Sequence, residues 1–119
     1  MDEAELSEAD LSGSNLEEAD LSDSTLFKAN LSYANLRKAD LSKADLSQAN
    51  LSECNLRDAS LSEADLFGAT IKTAVLIGAD LHRVDAMKAD FSGSDLSKTW
   101  LEDGVRQRNH TLTGRAATV

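Results

Sequence analysis

The sequence predicts an all-β solenoid, a chain wound into a tube with four short sides to each coil. Three observations point there: a leucine at every fifth place, a small residue two places before it, and opposite charges that meet 20 residues apart. The clearest run is Ala29-Asn-Leu-Ser-Tyr-Ala-Asn-Leu-Arg-Lys-Ala-Asp-Leu-Ser-Lys-Ala-Asp-Leu-Ser-Gln48, one five-residue unit repeated four times. Repeats of this kind decide the architecture before any local propensity does.

With the central residue as i, the register runs unbroken from Leu6 to Leu101. Of its 20 central positions 17 are Leu, the exceptions being Ile71, Ala86 and Phe91. Position i−2 is Ala in 14 of the 20 units, and i−1 is Asp or Asn in 14. On an α-helix each step of five would turn roughly 140° and scatter the leucines; on a flat strand an odd period alternates them between faces. A closed coil buries them all, with each unit forming one side and successive coils stacking. Corners are expected at the Asp/Asn-rich positions, whose side chains bond nearby backbone.

The number of sides follows from the exposed position i+2. An offset of 20 gives seven opposite pairs and no like pair: Glu8/Lys28, Glu18/Lys38, Lys38/Asp58, Asp23/Lys43, Lys43/Glu63, Glu63/Arg83 and Arg83/Asp103. An offset of 15 gives four opposite and three like, which argues against a triangle. An offset of 25 gives five opposite and none like, so charge alone leaves a pentagon open.

The Ala-Asp/Asn-Leu-x-x run resembles the pentapeptide repeat family over residues 4–103. That resemblance implies a right-handed quadrilateral β-helix with four units per coil, hence about five coils. The expected division is a β-solenoid over 1–103 and a C-terminal cap or flexible tail over 104–119. Departures at Val75, Val84, Ala86, Phe91 and Trp100 fall late in the chain.

The length suits a single domain. Five coils at roughly 4.8 Å each give a tube about 24 Å long. Buried leucines at roughly 1.5–3 kcal/mol each supply its hydrophobic term before conformational entropy is subtracted. Cys54 is the single cysteine, so no disulfide framework exists; at an inward i−2 position it reads as a buried, inert thiol in place of Ala. No apolar run has the length of a signal peptide or membrane span, which fits a cytoplasmic protein that makes no membrane contact.

Along the chain, Met1 falls in register as a central residue, so the first coil is expected to begin without a cap and to expose unpaired strand edges. The net charge of −9 belongs to this end: residues 1–25 hold nine acids and no Lys or Arg, whereas the other 12 acids cancel all 12 bases. Glu5, Glu8, Asp10, Glu17, Glu18, Asp20 and Asp23 make this acidic end. Such like charge discourages end-to-end stacking or simply aids solubility.

From Leu26 to Leu66 the i+1 position alternates, with Ser32, Ser42, Ser52 and Ser62 set against Phe27, Arg37, Arg57 and Phe67. Four-sided coils stack Ser7, Phe27, Ser47, Phe67 and Met87 in one column and Glu17, Arg37, Arg57, Ile77 and Ser97 in another. Phe27, Phe67 and Met87 form the candidate partner-binding face, to be weighed against ordinary outward packing. Further on, Val84 and Ala86 invert the usual small-then-large pair, a swap that conserves core volume. Trp100 and Leu101 are the candidate C-terminal cap or dimer contact. Residues 104–119 carry Arg106, Arg108 and Arg115 and no acid. They read as a cap, as a basic tail, or as a basic segment that meets the acidic first coil of another molecule.

Chemistry is hard to place on this pattern. His82 lies beside Asp85, but acid is common at i−1, so the pair carries little weight as a dyad. No His/Cys cluster, calcium-loop spacing or phosphate loop occurs, and no catalytic residue, metal ligand or cofactor is expected. An acidic chain without a basic stripe is also not expected to bind nucleic acid directly. The expected function is a non-enzymatic structural or protein-binding module, with a protein partner.

The alternative comes from the resemblance, because some family members mimic duplex DNA and bind type II topoisomerases, protecting gyrase from quinolones. About 24 Å of duplex holds about 14 negative charges. The −9 of this chain, gathered at one end, matches that poorly in a single copy. Pairing through residues 96–119, or end-to-end stacking at an open coil, would lengthen the acidic object.

Overall fold

The fold is taken from a computed structural model that describes residues 3–100. Every parallel bridge joins residues 20 apart, from Glu5 with Thr25 to Asp80 with Trp100. Four units therefore make one coil, and the offset-20 register holds from end to end. The walls are numbered by their central residues in the first coil: wall one from Leu6, wall two from Leu11, wall three from Leu16 and wall four from Leu21.

One unit shows why the chain adopts this path. The Asn30 N–H donates to Ala9 O at 2.9 Å in the coil before, and the Leu31 N–H to Asn50 O at 2.7 Å in the coil after. The Tyr33 N–H donates to Ser52 O at 3.0 Å, and the Ala34 N–H closes the turn onto Leu31 O at 3.1 Å. The remaining donor, the Ser32 N–H, is taken by Asn30 Oδ1 at 3.0 Å. All five amides are thus paired, as a tightly wound backbone requires.

This accounting corrects the expected corner. The Asp/Asn position i−1 sits in the bridged, straight part of each side, and the turn lies at i+1 and i+2. The carboxylate or amide reaches over the corner to the i+1 N–H instead of forming the corner itself. The turns have the pattern of type II, an i to i+3 bond with positive φ at the second central residue, with the Ile71–Ala74 turn bridged through Ser94 instead. Non-glycine residues adopt φ of 55 to 64° there, and Gly13, Gly68, Gly78 and Gly93 occupy the same place. β-Branched Thr73, at φ 58°, is the residue least suited to it.

The core is a stack of central and i−2 side chains. Leu26, Leu31, Leu36, Leu41, Leu46 and Leu51 are 0% exposed, and the i−2 alanines from Ala29 onward are 2% exposed or less. Val84 and Ala86 at 1% and Phe91 at 2% are equally enclosed, so the swapped sizes fill the same tube. Polar i−2 residues are accommodated because a turn carbonyl has a second lone pair. Cys54 Sγ donates to Leu31 O at 2.8 Å, and Thr99 Oγ1 to Leu76 O at 2.7 Å. Ser94 goes further and enters a turn, accepting from the Ala74 N–H while donating to Ile71 O.

Candidate functional site on the outer walls

With the core enclosed and the backbone of the inner coils largely paired within the tube, what the walls offer for recognition is the side chains at i−1, i+1 and i+2, arranged as ladders. Asp at i−1 is partly committed. Asp10 Oδ1 accepts from Ser12 Oγ at 2.7 Å and Ser12 N at 3.1 Å, and Asp20 repeats this with Ser22 at 2.6 and 3.1 Å. These bonds, the serine hydroxyl first, hold the carboxyls of Asp10, Asp20 and Asp90 below the ordinary Asp range.

Wall one brings Phe27, Phe67 and Met87 into a single column, as the offset requires. Phe67 is 37% exposed, whereas Phe27 and Met87 are half-buried. The column is interrupted by Ser47, whose hydroxyl is turned onto Asp45 Oδ1 at 2.6 Å. Each ring lies near an ammonium: Lys28 Nζ is 5.3 Å from the Phe27 centroid, and Lys88 Nζ is 6.0 Å from that of Phe67. The face is therefore a set of aromatic and cationic groups rather than one apolar patch.

Wall three carries the ion pair Arg37–Glu17 at 2.6 Å, joining two coils. On wall four, Arg83 and Glu63 approach to 3.6 Å, one of the pairs expected from the offset. His82 lies with Nδ1 3.6 Å from Asp80 Oδ1, so its carboxylate neighbour is the bridged Asp80 rather than Asp85. Trp100 corrects another expectation. Its i−1 position puts the indole on the outside of wall four, 52% exposed and 6.4 Å from the His82 ring, and not over the core. Leu101 and the segment 104–119 lie outside the described residues.

Glu5, Glu8, Asp10, Glu17, Glu18, Asp20 and Asp23 are all exposed on the first coil. Among the described residues, no group of His, Cys, Asp and Glu is placed to hold a metal ion, and no helix is long and apolar enough to cross a membrane. The serine bonds add to the backbone bonding expected of Asp and Asn, and their signal is the Asp-x-Ser spacing that recurs from Asp10 to Ser97.

These ladders match a known pattern. The profile described as pentapeptide repeats matches residues 4–42, 34–72 and 64–103, with 8 copies. The chain belongs to the pentapeptide repeat family. A member from the thylakoid lumen of Arabidopsis thaliana is 34% identical, with a TM-score of 0.81, over 84% of this chain and 70% of its own. Rfr23, a pentapeptide repeat protein of the cyanobacterium Cyanothece 51142, is 30% identical with a TM-score of 0.53, over 76% of this chain and 62% of its own. The plasmid-mediated fluoroquinolone resistance protein QnrB1 is 23% identical with a TM-score of 0.52, over 86% of this chain and 59% of its own, a likeness of fold alone. No curated protein matches significantly. The fold is the right-handed quadrilateral β-helix of these pentapeptide repeat structures.

Proposed function

We propose that this pentapeptide repeat protein is a non-enzymatic protein-binding module whose first wall contacts a protein partner. The observation that carries this is the column of Phe27, Phe67 and Met87, which project from a wall whose fold does not need them. Aromatic groups beside cations are the kind of anchor that dominates protein interfaces. Because the coils use their amides internally, a partner on this wall is met by side chains.

Replacing Phe27 and Phe67 together by Ser should change stability by no more than about 1 kcal/mol, since both lie outside the core. The same variant should lose the proteins captured by the wild type in an affinity experiment read by mass spectrometry. An unchanged set of captured proteins from a folded variant would remove the wall from the interface.

A second reading, mimicry of duplex DNA toward a type II topoisomerase, draws support from the exposed acids of the first coil. It is weakened by wall three, where Glu17, Glu18, Asp58 and Asp95 are balanced by Arg37, Lys38, Arg57 and Lys98. Inhibition of gyrase supercoiling at stoichiometric protein would favour mimicry over the aromatic wall. Full gyrase activity in large excess of the protein would discard it.

A further inference from the structure

We propose that the first coil is a docking edge for the C-terminal end of a second copy, so that molecules associate head to tail. This surface is separate from the aromatic wall and stands on different observations.

The first observation is incomplete burial. Leu6, Leu11 and Leu16 pack against the core yet remain partly exposed, whereas Leu26, Leu31 and Leu36, one coil on, are 0% exposed. Nothing among the described residues lies beneath them.

The second is the polarity of the ladder. In later coils the i−1 N–H donates to the preceding coil, as Asn30 does to Ala9 O, and the carbonyls at i−1 and i+1 accept from it, as Asn30 O does from Leu11 and Phe27 O from Glu8. In the first coil the equivalent groups of Glu5, Asp10 and Asn15, with the carbonyls of Ser7, Ser12 and Glu17, have no preceding coil among the described residues. An edge of this sense is continued in parallel register by the C-terminal end of another tube; another N-terminal end pairs with it only in antiparallel sense and is opposed by its charge.

The third is charge. The described part of the first coil carries Glu3, Glu5, Glu8, Asp10, Glu17, Glu18, Asp20 and Asp23 and no Lys or Arg. Asp10 and Asp20 are held in the charged form by their serines. Two such ends repel, so the occupant must be basic. Residues 104–119 supply Arg106, Arg108 and Arg115 without an acid, together with Val105, Leu112 and Val119 as apolar groups for the open leucines. Their place in the chain, after the last described coil, puts the basic sequence at the opposite terminus from the acids. The contact joins unlike surfaces, so it propagates into open chains.

A charge-swap experiment on the full chain tests this by sedimentation velocity. Wild type should show a mass that rises with concentration at about 0.02 M salt and falls to the monomer at about 0.5 M, where the Debye length is a few ångströms. The variant R106E/R108E/R115E and the variant E3K/E8K/E18K should each associate at least about tenfold more weakly alone, and their mixture should associate again. The three glutamates occupy turn positions that Lys28, Lys38 and Lys43 fill elsewhere, so the second variant is expected to fold. Amide exchange at Glu5, Asp10 and Asn15 should slow as wild type associates.

A monomer at every concentration and salt overturns the proposal, as does association that survives both reversals. Slow exchange at those amides independent of concentration would assign the edge to the molecule's own tail, against docking in trans. Association abolished by the Phe27 and Phe67 replacements, with the charge variants unaffected, would move the contact to the aromatic wall.

Discussion

The first and third coils are made from the same pentapeptide and turn the same way, yet they are not equally buried. Glu8 and Glu18 sit at φ 62 and 61°, Gln48 and Glu53 at 59 and 58°. Leu46, Leu51 and Leu56 are 0% exposed, while Leu6, Leu11 and Leu16 are only half-buried. A unit therefore makes its own corner but takes its burial from the coils on either side. This is the quasi-one-dimensional behaviour of a solenoid, in which stability resides largely between neighbours.

The largest test of that contrast is a matched pair of truncations. Leu46→Ala should cost about 3 kcal/mol in urea unfolding, because the enclosed site cannot collapse, and Leu11→Ala about 1 kcal/mol. Equal losses would mean that the first coil is covered as well as the third.

A smaller effect concerns the acceptor at i−1. Asn35 Oδ1 takes the Arg37 N–H at 3.1 Å, whereas Val75, at the same position on wall three, has no oxygen to offer Ile77. Asn35→Ala should lose about 1 kcal/mol, and Val75→Asn should gain up to about that amount. Opposite shifts in melting temperature are the expected readout; a loss in both would show that the valine packs better than the amide bonds.

Acid compares the ends of the tube through Asp10, Asp20 and Asp90. Their folded pKa values lie below the ordinary 3.8, so the folded state binds fewer protons than the unfolded. The stabilisation they give is present above that value and is lost as the pH falls through their folded pKa values. Ser12→Ala and Ser22→Ala together should move the carboxyl titrations of Asp10 and Asp20 upward by NMR, without moving that of Asp90. Movement of all three would point to a general field instead of local hydroxyl bonds.

Cys54 gives the smallest change. Burial pushes its thiol up from 9.0 to about 12, so the folded state keeps the proton longer than the unfolded. Its contribution is complete below pH 9.0 and is lost as the pH rises toward about 12. Cys54→Ala should lie within about 1 kcal/mol of wild type near neutral pH.

The inner lining was legible because burial leaves a periodic trace: Leu and Ala recur at fixed places, and charge pairing at an offset of 20 found the coil length. The irregular stretch was legible too, since Val84, Ala86 and Phe91 exchange volume without shifting the bridge from Thr70 to Asp90. The position of the corner was not. Asp and Asn favour turns generally, and a residue that bends the chain carries the same sequence signature as one that bonds across the bend. Trp100 was misplaced for a related reason, because a large apolar residue near a chain end suggests a lid, whereas its i−1 register points it outward. Wall positions repeat in charge and polarity but not in side-chain contacts, so Phe27, Phe67 and Met87 could be placed together while the approach of lysines to their rings could not be foreseen.

One consequence lies in the chain's single thiol, placed at mid-shaft. Cys54 is 1% exposed and hydrogen-bonded to Leu31 O, two coils distant from either end. A thiol reagent can reach it only when the stack parts, so its labelling rate is a clock for breathing at the middle of the tube. Every molecule carries that clock at one defined place, and anything that grips the coils from outside should slow it.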